Sequence, residues 1–148
     1  VLPQITIAGT EFIIDLRKQE LRERGNPKNR LDLRQMEISP SERNYLCFYN
    51  TQTHQQYFVP KSIKTLPEHV VMVEIPNEFS LDPYAMAIRN GREVADVLKE
   101  FPSQKQLSAK ITTLSETTLP KLVQQNIAKE KEKKQGQNRS RDRRGFDL

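Results

Sequence analysis

A chain of 148 residues with 35% hydrophobic and 29% charged side chains has room for one core of modest size and leaves much of its length to loops and exposed ends. Its 24 Lys/Arg against 19 Asp/Glu give a net charge of +5, and its one cysteine, Cys47, excludes an internal disulfide and fits a reducing compartment. Apolar runs such as Phe12–Ile14 and Val70–Val73 fall far short of a membrane span, and Val1-Leu2-Pro3-Gln4 lacks the charged and apolar regions of a signal peptide, so a cytoplasmic protein with no membrane partner is expected.

Ile5 and Ile7, then Phe12, Ile14 and Leu16, alternate with polar residues at period two, and Ala8-Gly9-Thr10 between them predicts a hairpin turn. Strand character resumes at Glu20-Leu21-Arg22, and Gly25-Asn26-Pro27-Lys28-Asn29 is expected to break the chain in a loop. Leu31, Leu33, Met36 and Ile38 fit neither the helical nor the strand period. A second hairpin is predicted where Tyr45–Tyr49 and Tyr57–Val59, both aromatic and β-branched, flank the turn-like Asn50–His54. Val70–Ile75 reads as another strand, closed by Pro76.

The second half is helical. Asp82 supplies a cap and Pro83 a first-turn residue for a helix running to Asn90, with Gly91 at its end. Val94, Val97, Leu98 and Phe101 recur at helical spacing until Pro102. Residues 109–114 form a strand or an extended arm, and Thr118 is a candidate cap for a last helix that buries Leu122, Val123 and Ile127. Ala87, Gly91 and Val97 share the spacing of a helix-turn-helix. Asn90, Arg92 and Glu100, however, occupy positions that such a motif buries, and Glu93, Asp96 and Glu100 would repel phosphates, so an αα-hairpin covering the sheet is the expectation.

No catalytic, metal or cofactor signature is present. His54 and His69 lie 15 residues apart with no second cysteine to complete a zinc site, the five glycines are scattered, and Cys47 sits in an apolar strand as a packed side chain. Charge is the informative feature. Residues 129–148 hold eight Lys/Arg against four Asp/Glu, leaving +1 for the other 128 residues. Within this tail, residues 129–134 alternate in sign, whereas Arg139, Arg141, Arg143 and Arg144 stand among Gln, Asn, Ser and Gly. Phe146 and Leu148 offer two apolar anchors for docking on a partner. A second basic stretch, Arg17, Lys18, Arg22, Arg24, Lys28, Arg30 and Arg34, is opposed by three carboxylates and reads either as a phosphate- or acid-contacting edge or as charges guarding an edge strand.

These features predict an α+β domain over residues 1–128, an antiparallel meander of about five short strands with two or three helices packed on one side, followed by a basic C-terminal tail, 129–148, that is flexible or extends the last helix. The functional expectation is a non-enzymatic binding or adaptor module, without cofactor, whose partner is a protein. The alternative is a nucleic-acid-associated accessory protein that contacts the phosphate backbone weakly, without sequence preference and in a salt-sensitive way through the Arg17–Arg34 stretch and the tail. An enzyme assembled from distant residues is the third reading.

Overall fold

The computed structural model describes residues 2–146, with the side chains of residues 2–136. It is an α+β structure whose chain divides into two compact units, Val1–Phe58 with His69–Thr113, and Val59–Glu68 with Leu114–Leu148.

The first unit holds two mostly antiparallel five-stranded sheets. One is built from β1 (Gln4–Ile7), β2 (Thr10–Asp15), β3 (Glu20–Glu23), β4 (Asn26–Asp32) and β9 (Leu107–Ser108), in the order β4-β3-β2-β1-β9. The expected first hairpin is present, with Ile5 opposite Phe12 and with Ala8 and Gly9 at φ +48 and +83, the paired positive angles that fit a two-residue turn to the twist of its strands. The other sheet is built from β5 (Glu37–Ile38), β6 (Tyr45–Asn50), β7 (Gln55–Tyr57), β8 (Val70–Ile75) and β10 (Lys110–Thr113), in the order β10-β8-β6-β5, with β7 also pairing β6. Between β9 and β10 the chain changes sheet at Ala109, whose N–H donates to the Thr6 carbonyl at 2.9 Å.

Alternation along the strands makes the core. Ile5, Ile7, Phe12, Ile14, Leu21 and Leu31 from one sheet and Tyr45, Cys47, Tyr49, Val73 and Ile75 from the other are buried in one cluster. Phe12 meets Tyr49 edge-on, with ring centroids 6.2 Å apart, so that the electropositive rim of one ring faces the π-cloud of the other.

Three short helices follow: α1 (Glu78–Leu81), α2 (Pro83–Arg89) and α3 (Val94–Glu100). Asp82 caps α2 as expected, its carboxylate accepting from the Ala85 N–H at 3.1 Å, and Gly91 ends the helix at φ +63. Ala87 and Val97 are fully buried in the contact between α2 and α3, which are packed as a hairpin.

Local details differ from the sequence expectation. Residues 26–29 belong to β4, and the break is only the tight turn at Arg24-Gly25; Pro27 is tolerated because β4 is a sheet edge that needs no donor on its open side. Strands are more numerous than about five, because β5 and β9 have two residues each, too few to display a period; the second arm of the expected second hairpin is β7 at Gln55–Tyr57 rather than Tyr57–Val59.

The second unit combines residues 59–68, a 3₁₀ turn at Leu114–Glu116 and the long helix α4 (Leu119–Phe146). Asn126 donates from Nδ2 to the carbonyls of Lys61 and Ile63 at 2.9 and 2.8 Å, fastening the 59–68 segment to α4. The side chain engaged at the helix start is Thr117, whose Oγ1 accepts from the Leu119 N–H at 3.2 Å; Thr118 contributes its carbonyl, to Leu122. Among the described residues no helix is long and apolar enough to cross a membrane.

Candidate binding cleft

In the first unit the β5–β6 connection is wound tightly. Ser39 Oγ accepts from the Asn44 N–H at 3.0 Å, and Arg43 takes the left-handed region at φ +58. That turn leaves Asn44 buried with its side chain fully used: Nδ2 donates to Glu42 and Glu74 at 3.0 and 2.9 Å, while Oδ1 accepts from the Asn77 N–H at 2.9 Å. Asn77 in turn caps α1, its Oδ1 accepting from the Ser80 N–H at 3.2 Å. Two asparagines thereby fix the turn against the start of α1, and a cleft of about 630 Å³ opens between them and the end of α3.

One wall of this cleft is polar and internally satisfied. The Tyr45 hydroxyl donates to Glu78 Oε1 at 2.6 Å, and Arg89 donates to Glu78 Oε2 at 3.0 Å and to the Leu16 carbonyl at 2.9 Å. Burial, and then the Glu78 carboxylate, push the Tyr45 phenol far above its ordinary value, so it stays a hydrogen-bond donor at any physiological pH. The opposite wall is apolar. Phe79 and Phe101 stack with centroids 4.9 Å apart, and Ile38 lies 48% exposed. Arg43, at the rim, has no ion pair among the described residues.

Comparison with known protein families, with curated proteins and with solved structures finds no match.

The sequence-predicted basic stretch is spread along one sheet and largely neutralised within it. Arg22 pairs with Asp15 at 2.6 Å and approaches Glu20 at 3.7 Å, Arg30 pairs with Glu20 at 3.3 Å, Arg24 with Glu11 at 2.7 Å and Arg34 with Asp32 at 3.1 Å. Hydrogen bonding to Arg22 holds the Asp15 carboxyl below its usual value. Arg22 and Arg30 are cross-strand neighbours on one face. Arg17 and Lys18 occupy the β2–β3 turn, at the far end of β3 from Arg24, and together with Lys28 have no ion pair among the described residues. Arg139, Arg141, Arg143, Arg144 and Phe146 stand on α4, but their side chains lie outside the described residues, as does Leu148 altogether.

A second polar constellation joins the two sheets. His54 Nδ1 bonds Glu23 Oε1 at 2.8 Å, His54 Nε2 approaches Thr10 Oγ1 at 3.4 Å, and Asn29 Nδ2 donates to Glu23 at 3.1 Å and to the His54 carbonyl at 2.7 Å. A hydroxyl, an imidazole and a carboxylate in series carry the order of a nucleophilic triad. Thr10 and His54 are nevertheless absent from the lining of the clefts at Tyr45, Lys129, Leu107 and Arg30 among the described residues, and the arrangement reads as a clamp that holds the β6–β7 turn against β3 and β4. No group of three or more His, Cys, Asp or Glu side chains suited to a metal ion occurs among the described residues.

Sequence reasoning missed the cleft. Its residues come from 38–45, 77–79 and 101, which are distant in the chain and share no spacing: Tyr45 read as strand, Phe101 as helix face, and Ile38 as neither. The one signal available was Phe79, an aromatic in the unassigned stretch between the strand closed by Pro76 and the helix capped at Asp82.

Proposed function

We propose that this protein is a non-enzymatic binding module whose partner is another polypeptide, taken at the cleft between the β5–β6 turn, α1 and the end of α3. The occupant is a segment that inserts one large apolar side chain between Ile38 and the Phe79–Phe101 stack, with its backbone or an acidic group meeting Arg43. The observation that carries this reading is the half-exposed Ile38 beside two stacked, half-buried phenylalanines in a cleft of about 630 Å³, a volume within the range of ligand sites and lined on one side by apolar surface. The polar groups support binding over catalysis. Tyr45, Glu78, Arg89, Asn44 and Asn77 are committed to one another, which makes a rigid frame, whereas a catalytic centre keeps such groups available to substrate. A single cysteine, buried and free, is in keeping with a reducing compartment such as the cytoplasm.

The test is selection of a displayed random-peptide library on the full chain, followed by titration of the enriched peptides. Those peptides are expected to share an aromatic or branched apolar residue, and to bind at least tenfold more weakly to Ile38→Asp and to Phe101→Ala. Ile38→Asp is expected to keep the wild-type unfolding midpoint, since its side chain is 48% exposed. Peptides that bind Ile38→Asp as tightly as the wild type would remove the cleft from consideration.

A further inference from the structure

The division of the chain into two units coincides with a division of charge. The first unit carries 13 Lys/Arg and 13 Asp/Glu and is neutral; residues 59–68 and 114–148 carry 11 Lys/Arg against six Asp/Glu, the whole of the net +5. Within this second unit α4 spans 28 residues, about 42 Å of helix. Between Ile127 and Phe146 its only apolar side chain is Ala128. That stretch has no stripe to lie in a membrane surface, no seam for a coiled coil, and no anchors for an apolar groove.

Its own charges give the helix little net support, since opposite pairs such as Glu130 with Lys134, Lys129 with Glu132 and Arg139 with Asp142 are matched by like ones. Lys129 and Lys133, and Arg139 and Arg143, stand four residues apart, and Arg141 and Arg144 three apart, spacings at which like charges destabilise a helix. Only Glu130 offsets them among the described pairs, with Lys64 at 2.9 Å and Lys134 at 3.8 Å. Lys129 and Lys133 have no ion pair among the described residues and line, with Ser62, Lys64, Asn126, Glu130 and Glu132, a groove of about 640 Å³ against the 59–68 segment, three cations to two carboxylates. The groove thus carries a small surplus of cations, and further along α4 the sequence adds four arginines against one carboxylate, Asp142.

We infer that this unit binds the phosphate backbone of duplex DNA, with α4 as the contacting element. Residues 133–144 hold six cations and one anion over about 18 Å of helix, against about one phosphate charge per 1.7 Å along a duplex. A helix with side chains is about 10–12 Å across, which matches the B-form major groove at about 12 Å and not the narrow A-form one. No aromatic residue precedes Phe146 on this stretch, so a single strand finds no stacking platform. Binding is sequence-blind, because arginines set among Gln, Asn and Ser present no fixed pattern for base edges.

The experiment is fluorescence anisotropy of the full chain with 20-base-pair duplexes of two unrelated sequences, a 20-nucleotide single strand, and polyglutamate as competitor. Expected are equal affinities for the two duplexes, weaker binding of the single strand, and a log–log salt slope of about −4 to −5. Replacing Arg139, Arg141, Arg143 and Arg144 together by Ser is expected to cost at least tenfold in affinity and to flatten the slope by about 3. Lys129→Gln with Lys133→Gln is expected to flatten it by about 1–2. Both variants keep the buried residues of the unit, so an unchanged thermal transition certifies their folding. Absence of duplex binding at 50 mM salt, an affinity indifferent to the four arginines, or polyglutamate competing as well as DNA at equal charge would each overturn the inference.

Discussion

Tyr45 donates its phenolic hydrogen to Glu78 at 2.6 Å, joining the first residue of β6 to the first residue of α1, and Arg89 closes the other carboxylate oxygen at 3.0 Å. A strand and a helix that approach from different directions are thus tied at one carboxylate, and the cleft keeps its shape because that carboxylate has no free oxygen left to reorient. Tyr45→Phe is expected to lower the unfolding free energy by about 1.5 kcal/mol, the low end for a bond to a charged acceptor, since the Glu78 side chain is 25% exposed and water can take over. Glu78→Leu leaves both donors without their acceptor and is expected to cost more. A double-mutant cycle by urea titration measures the coupling, and a coupling energy near zero would show that Tyr45 acts only by packing.

How much of this was legible in the sequence follows from the range of each signal. The first hairpin, β6, β8 and the caps at Asp82 and Gly91 were readable because each rests on residues a few positions apart. The Tyr45–Glu78–Arg89 tie spans 44 positions and leaves no periodic trace. The same holds for the basic stretch. Read along the chain, its seven cations outnumber three nearby carboxylates; in the sheet, Glu11 and Asp15 from the neighbouring strand arrive to pair with Arg24 and Arg22. Strand pairing supplies counter-charges that linear counting assigns elsewhere. On α4, by contrast, neighbours follow from helical spacing along the sequence itself, so the balance of cations and anions on the helix is read directly from it.

Acid stability should report this pairing. The Asp15 carboxyl is held below its ordinary value of 3.8, first by the hydrogen bond from Arg22, and Glu23 below 4.5, first by Asn29 and then by His54. A carboxylate whose folded pKa is depressed contributes stability that is fully present above its unfolded pKa and is lost as pH falls through the folded one. Urea midpoints are therefore expected to be flat from pH 7 to about 5 as far as these groups are concerned, and to fall steeply below about pH 4. Asp15→Asn is expected to start lower at pH 7 and to show a shallower acid limb. Parallel wild-type and variant curves between pH 5 and 2.5 would exclude a contribution from this pair.

The His54 clamp makes a prediction about local opening. Its ring bonds Glu23, its carbonyl receives Asn29, and its backbone sits at φ +59 in the β6–β7 turn, so the turn is held from β3 and β4. β7 is three residues long and pairs only with β6 by main-chain bonds, which gives it little protection of its own. His54→Gly relieves the left-handed backbone while deleting the ring, and is expected to raise hydrogen exchange at Gln55–Tyr57 at least tenfold while leaving β8 unchanged. Retained protection at β7 would mean that the Asn29 bond to the residue 54 carbonyl suffices.

Cys47 tests the centre of the fold. It lies in the middle of β6, opposite Val73 of β8, and burial pushes its thiol up to about 12. At pH 8 the native thiolate fraction is then about one part in ten thousand, and the sulfur is also screened from reagent by the core around it. Alkylation by iodoacetamide is expected to be negligible in the native protein over the time in which the urea-unfolded chain reacts to completion. Between those limits the labelling rate should rise with urea in step with global unfolding, because β6 pairs with β5, β7 and β8 and has no open edge along most of its length. Labelling that runs ahead of the global transition would show β6 opening by a local route, which a strand bonded on both sides should not do.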